Sequence, residues 1–257
     1  MNFDKKVIII TGASAGIGAA AAINFASLGA KVALVGRNAE NLEAVRKQCV
    51  EASPSKAKQI GIIADITKDA KRIIDETISA FGQLDVLLNN AATMAFSPID
   101  SPEIIEIFDS TFSTNLRSVF ELTHYAVPHL VKTKGNIVNI SSLAGLKGYA
   151  GLSVYCTSKC ALDHFTKCMS LELAPKGVRV NSVNPAVIVT NFHFTTSGVP
   201  AEGTEEFFKN QAINHPLQRN GTPQEVANAI AFLASDLASF TTGTLFTVDG
   251  GRNNTST

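Results

Sequence analysis

The feature that most constrains this chain is an alternation. Seven short apolar, β-branched runs recur at Val7–Thr11, Val32–Val35, Gln59–Ile63, Val86–Leu88, Ile137–Ile140, Val178–Val183 and Leu245–Val248, and stretches of helical period separate most of them. Runs that are apolar at nearly every position suit strands buried on both faces. Parallel strands need crossover connections of about a dozen residues or more, and the intervening stretches have that length. The pattern predicts an α/β fold, a doubly wound parallel sheet of seven strands with helices on both faces and a ligand crevice at the strands' C-terminal ends. Helix boundaries are marked as well: Ser101-Pro102-Glu103 reads as a capping serine with proline at the first helical position, and Thr222-Pro223-Gln224-Glu225 as a capping box. A single long helix is expected over Ser101–Val131, and another over Ser153–Leu173.

At 257 residues, 45% hydrophobic and 17% charged, the chain suits one domain with an ample core, and no linker or composition shift divides it. Lys plus Arg and Asp plus Glu are both 22, so no basic excess points to nucleic acid or an anionic membrane. The stretch Lys5–Leu28 imitates a signal peptide, but Thr11, Gly12, Ser14, Gly16 and Gly18 interrupt it too early. No run reaches the ~18 apolar residues of a membrane span, and a cytoplasmic location is expected. Cys49, Cys156, Cys160 and Cys168 form no disulfide framework and are expected to be reduced.

Directly after the first run comes Thr11-Gly12-Ala13-Ser14-Ala15-Gly16-Ile17-Gly18, a glycine-rich turn opening a helix. Glycines there let a ligand approach the backbone, and a helix N-terminus offers N–H groups and a positive dipole end to a pyrophosphate. Alone, the turn also fits a tight strand-to-helix connection without ligand. The second run ends in Val35-Gly36-Arg37-Asn38, where an NAD site places a carboxylate on the ribose hydroxyls. Arg37 in that place suits a 2′-phosphate, so NADP(H) is expected in preference to NAD(H); the plain alternative for Arg37 is a solvated loop cation.

Tyr155 and Lys159 stand four residues apart, on one helical face. A tyrosine of ordinary pKa ~10 becomes a usable acid/base when a fixed cation favours its phenolate, although the same spacing is also a common helix-surface pair. Asn139-Ile140-Ser141-Ser142 puts serine hydroxyls at the crevice edge after the fifth strand, and the fourth strand ends in Asn89-Asn90-Ala91-Ala92.

Together these motifs resemble the short-chain dehydrogenase/reductase family, in its single-domain branch of Rossmann type. They are T-G-x-x-x-G-I-G at Thr11–Gly18, Asp65, N-N-A-A at Asn89–Ala92, Asn115, Ser142, Y-x-x-x-K at Tyr155–Lys159, and N-P-A-x-I-x-T at Asn184–Thr190. The resemblance implies that Tyr155 gives the proton to a carbonyl oxygen, that Ser142 hydrogen-bonds that oxygen, and that Lys159 holds the nicotinamide ribose and lowers the tyrosine pKa. Asn115 would anchor a water linking the lysine to solvent. Cofactor contacts are implied at Gly12, Ser14, Gly16, Ile17, Gly18, Arg37, Asn38, Asp65, Ile66, Asn90, Ala91, Tyr155, Lys159, Pro185, Ile188 and Thr190. It also implies a homotetramer and a small-molecule carbonyl or alcohol substrate. The first activity expected is ketone/secondary-alcohol interconversion; 3-oxoacyl-thioester reduction and a non-catalytic NADP-sensing or scaffold role are the alternatives.

Ala92 and Ala186 depart from the family pattern, each standing where glycine is usual, which bears on the backbone near the nicotinamide. Cys156, Cys160, His164 and Cys168 recur every four residues, but about 18 Å of helix from first to last prevents closure around one ion, and no metal is expected. Asn191–Gly203 is irregular and precedes a short helix over Thr204–Ile213, so a substrate lid is expected around 191–213. Its Phe192, His193, Phe194, Phe207 and Phe208 either pin that segment to the core or line a lipophilic substrate pocket. The tail Arg252–Thr257 reads as frayed.

Overall fold

The strand-length runs become seven parallel strands of one sheet in a computed structural model that describes residues 1–196 and 203–255. They are β1 (Val7–Thr11), β2 (Lys31–Gly36), β3 (Ile60–Ile63), β4 (Val86–Asn89), β5 (Asn136–Ile140), β6 (Arg179–Pro185) and β7 (Leu245–Val248), in the spatial order β3-β2-β1-β4-β5-β6-β7. The helices are α1 (Gly16–Ser27), α2 (Ala39–Ala52), α3 (Ala70–Phe81), α4 (Ile104–Phe112), α5 (Ser118–Thr133), α6 (Ser153–Leu173), α7 (Phe192–Thr196), α8 (Thr204–Ala212) and α9 (Pro223–Ala234).

Strand alternation sends side chains to two separate cores. Ile8 and Ile10 of β1 and Val32 and Leu34 of β2 pack with α1, α2 and α9, while Ile9, Ala33, Val35 and Leu87 pack with α3 and α5 on the opposite face. Every residue of β1 is buried, which explains its unbroken apolar run. The small side chains Ala21, Ala22 and Ala26 let α1 lie close against Ala227, Ile230 and Ala231 of α9. Thr222 caps α9: its hydroxyl accepts from Glu225 N at 3.3 Å while Glu225 Oε2 accepts from Thr222 N at 2.8 Å, closing the expected box.

Several sequence expectations shift. Gln59, expected to open β3, lies outside it; its side chain accepts from Val32 N at 2.8 Å and donates to Ala30 O at 3.0 Å, bridging the start of β2. The expected helix over Ser101–Val131 starts only at Ile104 and is interrupted by a π-helical turn at Ser113–Arg117 before continuing as α5. The tail is ordered through its first four residues: Lys147 Nζ donates to the carbonyls of Arg252 at 3.0 Å and Thr255 at 2.5 Å, closing a 3₁₀ turn over Arg252–Asn254. Within the expected lid, α7 and α8 are helical, and 197–202 lies outside the described residues. Among the described residues no helix is long and apolar enough to cross a membrane.

Candidate active site

A cleft of about 1110 Å³ runs along the C-terminal edge of the sheet, where the chain's direction of winding reverses between β1 and β4. One wall is the glycine turn. Gly12 and Gly16 adopt φ of 65° and 56°, and a Cβ on Gly12 would fall 2.9 Å from both Ala91 Cα and Asn90 Nδ2. α1 begins at Gly16 with no side-chain cap and no acidic residue in its first turn, leaving its N-terminal dipole unneutralised beside the cleft. Ser14, Gly16 and Ile17 line the same wall. Asn90 ties the turn to β4 by donating from Nδ2 to Thr11 O at 2.8 Å and Gly12 O at 3.2 Å. Thr11 Oγ1 accepts in return from the backbone N–H groups of Asn90 and Ala91, at 2.9 and 3.1 Å. Gly18 does not line the cleft; it packs behind the turn, where a Cβ would lie 2.3 Å from Gly12 O.

At one end of the cleft stand Arg37, Asn38, Asp65 and Ile66. Asn38 Oδ1 accepts from Asn41 N at 2.9 Å and caps α2. Hydrogen bonds from the backbone and hydroxyl of Thr67 hold the Asp65 carboxyl below its usual range, with Lys68 and Arg37 adding to the effect. Among the described residues Arg37 has no carboxylate partner within ion-pair distance. The shape and donor set fit a dinucleotide: a glycine cradle that a side chain would fill, a bare helix N-terminus and an unpaired guanidinium.

Ser142, Tyr155 and Lys159 meet farther along the cleft, beside Pro185, Ile188 and Thr190. Tyr155 and Ser142 line the same stretch of the cleft, and Ser142 Oγ accepts from Ala144 N at 3.1 Å. Lys159 is almost wholly buried; its Nζ donates to Ile140 O at 2.8 Å and lies 5.8 Å from the centroid of the Tyr155 ring. Burial pushes the Tyr155 hydroxyl up to about 12, against the opposing pull of Ser142. Burial also lowers the Lys159 ammonium to about 8, against the raising effect of Asp163. Desolvation of the phenolate is the largest influence on Tyr155, and Lys159 is not among the groups that shift it.

Asn115 is buried outside the cleft, in the π-helical turn. Its Oδ1 accepts from Thr93 N at 2.8 Å, and its Nδ2 donates to Thr93 O at 2.9 Å and Ser158 Oγ at 3.1 Å. The side chain thus braces the segment after β4 against α6.

Sequence reasoning missed Asp163. It stands one further turn along the face carrying Tyr155 and Lys159, 3% exposed, where its carboxylate accepts from Asn184 Nδ2 at 2.8 Å and Ser182 Oγ at 3.0 Å. Burial raises its pKa, opposed by hydrogen bonds from Ser141, Asn184 and Ser182 and by the Lys159 charge. The spacing 155, 159, 163 was the available signal. Arg252 was also missed, because the tail looked frayed, yet it lines the cleft. Ala92 and Ala186 line it without strain: neither has a positive φ. Cys156 is half-buried and Cys160 and Cys168 are exposed, all as free thiols.

A dinucleotide cradle at the switch point of a doubly wound sheet, opening onto a Ser–Tyr–Lys cluster, is the arrangement of a cofactor-dependent oxidoreductase. A family model described as enoyl-(acyl carrier protein) reductase matches residues 12–253. Among similar proteins, meso-2,3-butanediol dehydrogenase of Serratia marcescens is 38% identical, over 98% of this chain and 96% of the relative. A chloroplastic NADPH-dependent aldehyde reductase of Arabidopsis thaliana is 37% identical, over 96% of this chain and 85% of its own. The crystal structure of a short-chain dehydrogenase/reductase of unknown function from Caenorhabditis elegans, solved with cofactor, superposes with a TM-score of 0.90 at 36% identity, covering 98% and 96% of the two chains. This chain belongs to the short-chain dehydrogenase/reductase family, and it is an NAD(P)-dependent oxidoreductase of CH–OH and C=O groups.

Proposed function

We propose that the protein interconverts an apolar ketone and its secondary alcohol with NADP(H). The observation that carries this reading is that Ser142, Tyr155 and the buried Lys159 line one cleft with the glycine turn. Gly12, Ser14, Gly16, Ile17, Asn90, Ala91, Ile188 and Thr190 would hold the cofactor, Arg37 and Asn38 its 2′-phosphate and Asp65 and Ile66 its base, and it would supply or accept hydride. The chain's own residues handle the oxygen. A carbonyl oxygen between the two hydroxyls accepts from both, Ser142 holding it while Tyr155 releases its proton as negative charge develops. A tyrosine pushed up to about 12 is a proton donor at neutral pH, and the Lys159 ammonium, charged below about 8, stabilises the phenolate left behind.

The apolar character is supported by Met94, Leu152, Phe192 and Phe207, which line the cleft around Tyr155, the Phe192 ring centred 6.5 Å from the tyrosine ring. NADP is supported by Arg37 and by the cofactor named for the Arabidopsis relative. Exposed Ile105, Phe108, Phe120 and Leu171 on α4, α5 and α6 support burial of that face in a homotetramer, which a solution mass of four chains would establish and a monomeric mass would refute.

The test follows NADPH and NADH oxidation with diketones, cyclic ketones and 3-oxoacyl thioesters, with Tyr155→Phe as control. Turnover of ketones that vanishes in the variant while NADPH binding persists is the expected result. Preference for the thioesters would shift the substrate class, and NADPH binding without any turnover would favour a sensor.

A further inference from the structure

We infer that Arg252 is an anion-binding residue at the substrate end of the cleft and that the substrate is an apolar ketone or alcohol bearing a carboxylate. The inference rests on the oxidoreductase reading above and specifies its substrate.

Arg252 is held in place by its backbone. Asp249 accepts from Gly251 N at 3.1 Å and Asn253 N at 2.7 Å, and Lys147 Nζ donates to the Arg252 carbonyl at 3.0 Å. The half-buried guanidinium lies 5.8 Å from the centroid of the Tyr149 ring, and its Nη1 donates to Gln211 Oε1 at 3.1 Å. Tyr149, Gln211 and Arg252 all line the cleft that contains Tyr155.

What Arg252 lacks among the described residues is a counter-ion within ion-pair distance. None of the ion pairs among the described residues includes it, and its Nε and Nη2 donate to no protein acceptor there. Among the described residues the sole carboxylate lining the cleft is Asp65, at the far end beside Arg37. A partly desolvated guanidinium favours an anionic partner, and the Nε/Nη2 edge matches the two oxygens of a carboxylate. Arg37 and Lys159 have assigned work at the 2′-phosphate and the reacting oxygen; Arg252 has none in that scheme.

The wall between Tyr155 and Arg252 is apolar: Met94, Ala144 and Tyr155 form one cluster with Tyr149 and Leu152 packed against it. A ligand reaching from the Tyr155 hydroxyl to Arg252 is therefore hydrocarbon in its middle and anionic at its distal end.

The test compares 4-acetylbenzoate and 4-oxocyclohexanecarboxylate with their methyl esters, in the wild type and in Arg252→Gln and Arg252→Lys. The acid is expected to exceed its ester in kcat/KM by about tenfold or more, the size of one charge-assisted pair. That ratio should collapse towards one in Arg252→Gln, mainly through KM, and recover in part in Arg252→Lys. A wild-type ratio of one or less, a ratio unchanged by Arg252→Gln, or an equal loss of NADPH affinity in that variant would overturn the inference. Calorimetric titration of the NADPH-loaded wild type with each acid and ester reads the same preference without turnover. Acid-selective binding without reduction would then sink the oxidoreductase reading alone, and turnover or binding that ignores the carboxylate would sink the Arg252 assignment alone.

Discussion

Replacing Gly18 with alanine tests the claim that the cofactor cradle is shaped by packing behind it. An added Cβ would lie 2.3 Å from Gly12 O, 2.5 Å from Asn90 Nδ2 and 2.9 Å from the Gly12 carbonyl carbon, whereas ordinary contacts begin at 3.4 Å. The nearest atom must retreat by 1.1 Å, the difference between 3.4 and 2.3 Å. It belongs to the backbone, and Asn90 Nδ2 simultaneously holds Thr11 O at 2.8 Å and Gly12 O at 3.2 Å, so neither neighbour can swing aside. Moving α1 instead would open its close contact with α9. Overpacking costs about 1–3 kcal/mol, and losing one or two buried hydrogen bonds adds about 1 kcal/mol each, so a total of about 2–5 kcal/mol is expected. At about 2–4 °C per kcal/mol for a chain of this size, thermal unfolding should fall by about 4–20 °C. Displacing the turn by ~1 Å should also weaken NADPH binding by about tenfold or more. Circular dichroism melts and fluorescence titration with NADPH measure both effects. Gly148→Ala is the control, since nothing lies within 4 Å of its Cβ position and its φ is not positive. A Gly18→Ala melt within about 2 °C of wild type, with NADPH affinity within about twofold, would refute the packing argument.

Other perturbations bear on the ends of the cleft. Arg37→Asp should raise the KM for NADPH by about tenfold or more and leave NADH less affected, reversing the preference; equal losses for both would remove Arg37 from the 2′-phosphate. The pH profile follows from Lys159. Its charged form is the active one and its pKa is lowered to about 8, so kcat/KM for reduction should be level below that pH and fall above it. Tyr155, at about 12, titrates too high to produce that limb, and a limb that survives in Lys159→Arg would refute the assignment.

The doubly wound sheet was legible because parallel, two-sided burial writes unbroken apolar runs into a sequence, as β1 does from Val7 to Ile10. Tyr155 and Lys159 were legible because one regular helix carries both, and i,i+4 spacing survives into three dimensions. Other members of the site were not. Asp163 shares their helix face, but only the packing of α6 on β6 buries it against Ser182 and Asn184. The π-helical turn at Ser113–Arg117, which carries Asn115 to Thr93 and Ser158, leaves no periodic trace in five residues.

By itself, the sequence determined what depends on local geometry: strand and helix order, the glycine turn, the Tyr–Lys spacing and the absence of a carboxylate at position 37. The tertiary structure decided what depends on burial and on distant chain segments meeting. Desolvation sets Tyr155 and Lys159 at about 12 and about 8, and no linear spacing encodes it. Arg252 enters the cleft because Lys147, 105 residues earlier, holds the tail against it, so a residue that looks frayed in the sequence becomes part of the site's wall.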